Sequence, residues 1–172
     1  MTSEPVTRYR VMTVCTGNIC RSPMAEVVLT ERLRAAGLAD VVRVDSTGIS
    51  DEEEGNPVDR RAARVLAAHG YPVPDHSARL VSAEELAERD LVLAMTASHA
   101  RSLRWLAPDV ADRVRMLRSF DPAAPADGPE RALDVIDPWY GDQAGFEVTL
   151  AEIEAAADGV VAHVRAALAG RA

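Results

Sequence analysis

Cys15 and Arg21 stand with five residues between them in the run Cys15-Thr16-Gly17-Asn18-Ile19-Cys20-Arg21-Ser22. A thiol is a latent nucleophile, and a guanidinium presents a planar fork of N–H donors that matches two oxygens of a phosphate. Five intervening residues are enough to wrap the chain around one tetrahedral anion, with the sulfur beneath the phosphorus and the fork closing over it. Gly17 is expected to relieve the tight turn, and Asn18 to hold the loop in shape through its amide. Ser22 is placed to donate a hydrogen bond to the sulfur and so help it leave. Thr16, Ile19 and Cys20 complete the wall around the anion.

A thiolate that attacks a phosphate monoester needs a proton donor for the departing oxygen, and a carboxylic acid on a loop can supply it. Asp137, followed by Pro138, Trp139 and Tyr140, is the candidate. Asp134 lies in the same segment and competes with it, and any single loop aspartate can equally be a solvated group or a helix cap. Trp139 and Tyr140 are expected to line the mouth of the cleft, where an aromatic wall stacks on an aromatic ring and deepens the pocket. The four histidines, at 69, 76, 99 and 163, show no metal-ligand spacing, so neither metal nor other cofactor is expected.

The elements that must position these groups are legible around them. Arg10 to Val14 is a short β-branched run, followed at once by Gly, Asn and Ser and then by Pro23 in the first turn of a helical pattern. Met24, Val27, Val28 and Leu33 give that helix an apolar face, and Gly37 ends it. The Cys15 loop therefore lies between a strand end and a helix start, where N–H groups converge and the helix dipole favours an anion and a thiolate alike.

A second strand begins at Val41 to Val44 and ends near Ser46-Thr47-Gly48; the acidic stretch Asp51 to Glu54 reads as an exposed loop. Asp59 to His69 is helical and closed by Gly70, and Ser82 with Glu85 forms a capping-box pattern for a short helix. Asp90 to Met95 reads as a buried strand, Ala97 to Leu106 as a helix ending before Pro108, and Arg113 to Leu117 as a fourth strand. Residues 119 to 143 form a long loop, and Phe146 to Leu168 a long amphipathic helix. The order β, α, β, α, α, β, α, β, α predicts an α/β fold: a four-stranded parallel sheet with helices on both faces and the phosphate-binding loop after the first strand.

Residues 1–172 are expected to form a single domain, since 48% apolar residues suffice for a core and no repeat or linker interrupts the chain. The net charge of −8 argues against nucleic acid as a partner. Two closely spaced cysteines cannot staple a secreted fold, the opening MTSEPVTRYR lacks a signal-peptide core, and no run reaches the roughly 20 apolar residues of a membrane helix. A cytoplasmic protein without membrane contact is expected; the oligomeric state is open, a monomer being the default.

The run VCTGNICRSPMAE at Val14 to Glu26 closely resembles the signature of low-molecular-weight protein tyrosine phosphatases. The resemblance extends through Asp45 to Gly48, Asp59 to Ala62, His69-Gly70, Asp90 to Met95 and Asp137 to Gly141, and so covers nearly the whole chain. It implies a phosphotyrosine-containing protein as substrate, Cys15 as nucleophile, Arg21 as phosphate clamp and Asp137 as general acid. Ser46 and His69 resemble family positions that brace the phosphate loop. The family commonly carries an aromatic residue after Ser-Thr-Gly, where this chain has Asp51-Glu52-Glu53-Glu54. Cys20 is expected either to pair with Cys15 on oxidation, as the resemblance implies, or to be a spectator packed on the sheet.

Three other readings are weighed against this one. An arsenate reductase of the same fold would use the first loop but needs cysteines beyond Cys20, and the chain has none. A protein arginine phosphatase tends to carry Thr where this loop has Ile19. A phosphopeptide-binding module would need neither Cys15 nor Asp137.

Overall fold

The computed structural model describes residues 6–171. Part of the opening stretch read for a signal-peptide core, residues 1–5, lies outside the described residues. Strands β1 (Tyr9–Cys15), β2 (Val42–Gly48), β3 (Leu91–Ala94) and β4 (Val114–Met116) alternate with helices α1 (Arg21–Ala35), α2 (Arg60–Ala68), α3 (Ala83–Ala87), α4 (Ala97–Leu106) and α5 (Gln143–Ala169). The element order matches the sequence reading, α4 has the bounds read for it, and the other ends differ by at most three residues. Short 3₁₀ segments were not legible in the pattern: Pro108–Arg113 joins α4 to β4, and Leu117–Phe120, Glu130–Leu133 and Pro138–Tyr140 break up the long loop.

All three strand pairings are parallel, in the order β2-β1-β3-β4. Alternation along β1 sends Val11 and Cys15 to one face, under α1, α2 and α5, and Met12 and Val14 to the other, under α3 and α4. Because the crossover from β1 runs outward to β2 and that from β3 runs the opposite way to β4, the loops after β1 and β3 diverge and open a crevice at the carboxyl ends of the strands. That crevice holds the Cys15 loop.

Two local features set the loop there. Thr13, inside β1, is fully buried and donates its hydroxyl to the Ser22 carbonyl at 2.8 Å, tying the strand to the first turn of α1. Gly48 ends β2 beside the loop: a Cβ there would stand 2.6 Å from the Thr16 carbonyl oxygen. The absence of a side chain lets Ile49 N–H reach the Cys15 carbonyl and Ser50 N–H the Thr16 carbonyl, both at 3.0 Å.

Candidate active site

The Cys15 loop turns through one left-handed residue, Asn18, with φ of 59°. Gly17, expected to relieve the turn, has no positive φ; its small size instead admits the Glu53 stem, whose Cγ would lie 3.0 Å from an added Cβ. Asn tolerates the left-handed region better than most residues, and its side chain is fully used. Nδ2 donates to Ser22 Oγ at 2.9 Å and to Ser46 Oγ at 3.0 Å, and Oδ1 accepts from the Arg79 N–H at 3.1 Å. Ser46 Oγ in turn donates to Glu26 Oε2 at 2.5 Å, which links the loop through Asn18 and Ser46 to α1.

His69 does not. It caps the C-terminus of α2 and its Nε2 lies 2.7 Å from Glu147 on α5, on the surface. The imidazole that braces the loop is His76, donating from Nε2 to the Asn18 carbonyl at 2.6 Å. A histidine followed by Gly looked like the family's brace, whereas His76 sits in an irregular segment with no periodicity to mark it. His99 and Arg79 were likewise missed: His99 Nε2 lies 2.8 Å from Thr16 Oγ1, and Arg79 pairs with Asp45 and Glu85 as well as with Asn18.

Cys15 is 3% exposed at the base of the pocket, and its Sγ lies 3.0 Å from Ser22 Oγ. The Ser22 hydroxyl also reaches the Thr47 carbonyl at 3.2 Å, so its one proton has two acceptors to choose between. The first turn of α1 holds no acidic residue, and no side chain caps it among the described residues, which leaves its positive dipole end facing the loop. Cys20, the N-cap residue, is buried in the core; burial first, and Asp59 second, push its thiol well above the ordinary range.

Arg21 is buried, donating from Nη1 to the Val135 carbonyl at 3.0 Å while Nη2 lies 3.2 Å from Asp137 Oδ2. Its Nε has no hydrogen-bond partner among the described residues, an unsatisfied buried donor of the kind an anion would satisfy. Val135 N–H donates to the Met95 carbonyl at 2.8 Å, which fastens the Asp137 segment over the end of β3. The two aspartates differ in position. Asp134 Oδ1 accepts from the Ala97 N–H at the start of α4, whereas Asp137 faces Arg21 and also accepts from the Trp139 N–H at 3.1 Å.

Thr16, Gly17, Ile19, Cys20, Trp139 and Tyr140 join Cys15, Arg21 and Asp137 around a cavity of about 110 Å³. Glu52 and Glu53 line it as well, so the acidic stretch brings two carboxylates to the same cavity. The sequence had left the packing of Trp139 open. Arg61 stacks on it at 5.3 Å and on Phe146 at 4.6 Å, and Arg61 Nη1 donates to the carbonyls of Trp139 and Gly141.

A family model described as low molecular weight phosphotyrosine protein phosphatase matches residues 10–169. The chain is 50% identical over 166 residues to a low molecular weight protein-tyrosine-phosphatase of Streptomyces coelicolor, covering 95% of this chain and 98% of that protein. It is 52% identical over 158 residues to low molecular weight protein-tyrosine phosphatase A of Mycobacterium tuberculosis, covering 92% and 91% respectively. Among solved structures, a protein tyrosine phosphatase from Entamoeba histolytica with Hepes in its active site superposes with a TM-score of 0.83 at 26% identity, over 92% of this chain and 98% of that one.

Proposed function

The chain belongs to the low molecular weight phosphotyrosine protein phosphatase family, and on that premise we propose that its reaction runs through Cys15, Arg21 and Asp137. It is a protein-tyrosine phosphatase, a hydrolase of phosphoric monoesters in phosphoproteins. The observation that carries the assignment of roles is convergence: thiol, guanidinium and carboxylate meet at one cavity, with Arg21 and Asp137 3.2 Å apart.

Cys15 attacks phosphorus as the thiolate while Asp137 passes its proton to the departing phenolic oxygen, leaving a cysteinyl phosphate. Asp137, now a carboxylate, accepts a proton from water as that water attacks the same phosphorus, and the sulfur leaves as a thiolate toward the Ser22 hydroxyl. Arg21 Nε and the amides at the start of α1 stabilise the charge on the phosphoryl oxygens through both steps. Trp139 and Tyr140 flank the aryl group. Ile19 at the pocket wall and the absence of any cysteine beyond Cys20 in the sequence favour phosphotyrosine over phosphoarginine or arsenate.

Residues 1–172 are taken as one domain working as a monomer in the cytoplasm, with neither nucleic acid nor membrane as partner. The net charge of −8, two unpaired cysteines and the lack, among the described residues, of a helix long and apolar enough to cross a membrane support this.

The test is hydrolysis of p-nitrophenyl phosphate and of phosphotyrosine, phosphoserine and phosphoarginine peptides in EDTA, by wild type and Cys15→Ser. Release from the phenolic substrates alone, lost in Cys15→Ser, is expected. Activity confined to phosphoarginine, or activity surviving in Cys15→Ser, overturns the reading.

A further inference from the structure

Thr16 directly follows the cysteine and lines the pocket. Its Oγ1 lies 2.8 Å from His99 Nε2 and 3.5 Å from Arg21 Nη2, the guanidinium nitrogen that also faces Asp137. His99 comes from a different element, the first turn of α4, and is 3% exposed. Its other nitrogen, Nδ1, is buried with no partner among the described residues.

This geometry constrains where protons go. Burial, and then the neighbouring Arg21 charge, push the His99 imidazole down to about 4, so the ring carries one N–H at working pH. Placing that proton on Nε2 gives it an acceptor, the Thr16 oxygen; placing it on Nδ1 leaves a buried donor unsatisfied, at a cost of roughly 1–3 kcal/mol. The Thr16 oxygen then accepts from His99, and from Arg21 on its far side, because a guanidinium only donates. With both of these neighbours donating, the hydroxyl proton of Thr16 turns to the remaining direction, the pocket.

We propose that His99 is a positioning residue of the phosphate site, acting through Thr16: its Nε2–H holds the Thr16 oxygen so that the Thr16 hydroxyl donates to a phosphoryl oxygen of the bound monoester. The inference rests on the Cys15 pocket being the phosphate site. It adds a side-chain donor that loop amides and Arg21 do not supply, on the wall next to the general acid.

The test reads phosphate affinity directly. Binding of inorganic phosphate is measured by calorimetry, and kcat and KM for p-nitrophenyl phosphate in parallel, for wild type, Thr16→Val, His99→Phe, His99→Gln and the Thr16→Val/His99→Phe double variant. Thr16→Val and His99→Phe are each expected to weaken phosphate binding about 3- to 10-fold, the worth of one hydrogen bond. The double variant should be no weaker than either single one, because both remove the same contact. His99→Gln, which keeps a donor near the Nε2 position, should recover most of the affinity, and the losses should appear in KM more than in kcat.

Unchanged phosphate binding in Thr16→Val, losses that multiply in the double variant, or a His99→Gln protein as weak as His99→Phe overturns the proposal, as does a wild type that binds no phosphate. Thr16→Val and His99→Gln keep the test open should His99→Phe fail to fold. Calorimetry needs no turnover, so a failure of Cys15-dependent hydrolysis is told apart from a failure of this positioning role.

Discussion

The Arg61 guanidinium lies 5.3 Å from the centre of the Trp139 ring and donates to the Trp139 carbonyl at 3.1 Å. The same side chain is paired with Asp59, whose backbone N–H donates to the Ile19 carbonyl inside the phosphate loop. One residue thus links the start of α2, the Cys15 loop and the turn that carries Asp137. Cation–π contacts of this kind contribute about 0.5–1 kcal/mol at exposed sites, enough to bias a turn between two positions.

Arg61→Ala is therefore expected to lower kcat about tenfold by releasing the Asp137 turn, while phosphate affinity changes little. Steady-state kinetics beside phosphate inhibition checks this. An equal fall in kcat and in phosphate affinity would mean that Arg61 supports the anion loop rather than the acid.

Asn18 carries both a left-handed backbone and three side-chain hydrogen bonds, to Ser22, Ser46 and the Arg79 N–H. Asn18→Ala loses all three bonds and leaves the backbone strained, for a stability loss on the order of 3 kcal/mol. Asn18→Gly should recover about 1 kcal/mol of that, the backbone share, without restoring activity. Urea unfolding of the two variants separates the shares; equal midpoints would assign the whole effect to the side chain.

How much of this was legible in the sequence follows from what each feature depends on. The β1, loop, α1 unit is local: a β-branched run, a turn and an apolar face at helical spacing lie within about 25 residues of chain, and periodicity finds such units. Asp137 was preferred to Asp134 for the Asp-Pro and aromatic residues that resemble the family's loop, whereas the engagement of Asp134 with the Ala97 N–H is a contact across the fold that the sequence does not show. His76, Arg79 and His99 brace or touch the loop from 58 to 83 positions away, through single contacts that leave no periodic trace. His69 failed as a brace for a related reason. Its place at a helix end before Gly was readable, but the direction of its ring, toward Glu147 on α5, is set by tertiary packing.

Glu52 and Glu53 line the same pocket as Trp139 and Tyr140, and carboxylates there repel acidic residues flanking a phosphotyrosine. Replacing both by Gln should raise kcat/KM for acidic phosphotyrosine peptides about 3-fold at low salt and leave basic peptides unchanged or slightly worse. The difference should shrink near 0.5 M salt, as screening shortens the range of exposed charges. Peptide assays at two ionic strengths decide it, and a gain that persists undiminished at high salt would point to shape rather than charge.

His99 also makes stability depend on pH. In the unfolded chain its imidazole titrates near the ordinary 6.5, whereas in the fold burial and Arg21 hold it down to about 4, with Asp137 opposing. Above pH 7.5 it is neutral in both states and contributes no slope. As pH falls below 6.5 the unfolded state takes up a proton that the folded state refuses, so this residue lowers stability by up to about 1.4 kcal/mol per pH unit, on the order of 3 kcal/mol by pH 4. The penalty stops growing once the folded imidazole also protonates. His99→Gln removes the titration, so its stability relative to wild type should improve steadily from pH 7 to pH 4.5 in urea melts. A wild type and variant whose curves run parallel over that range would show that the buried imidazole is not what resists the proton.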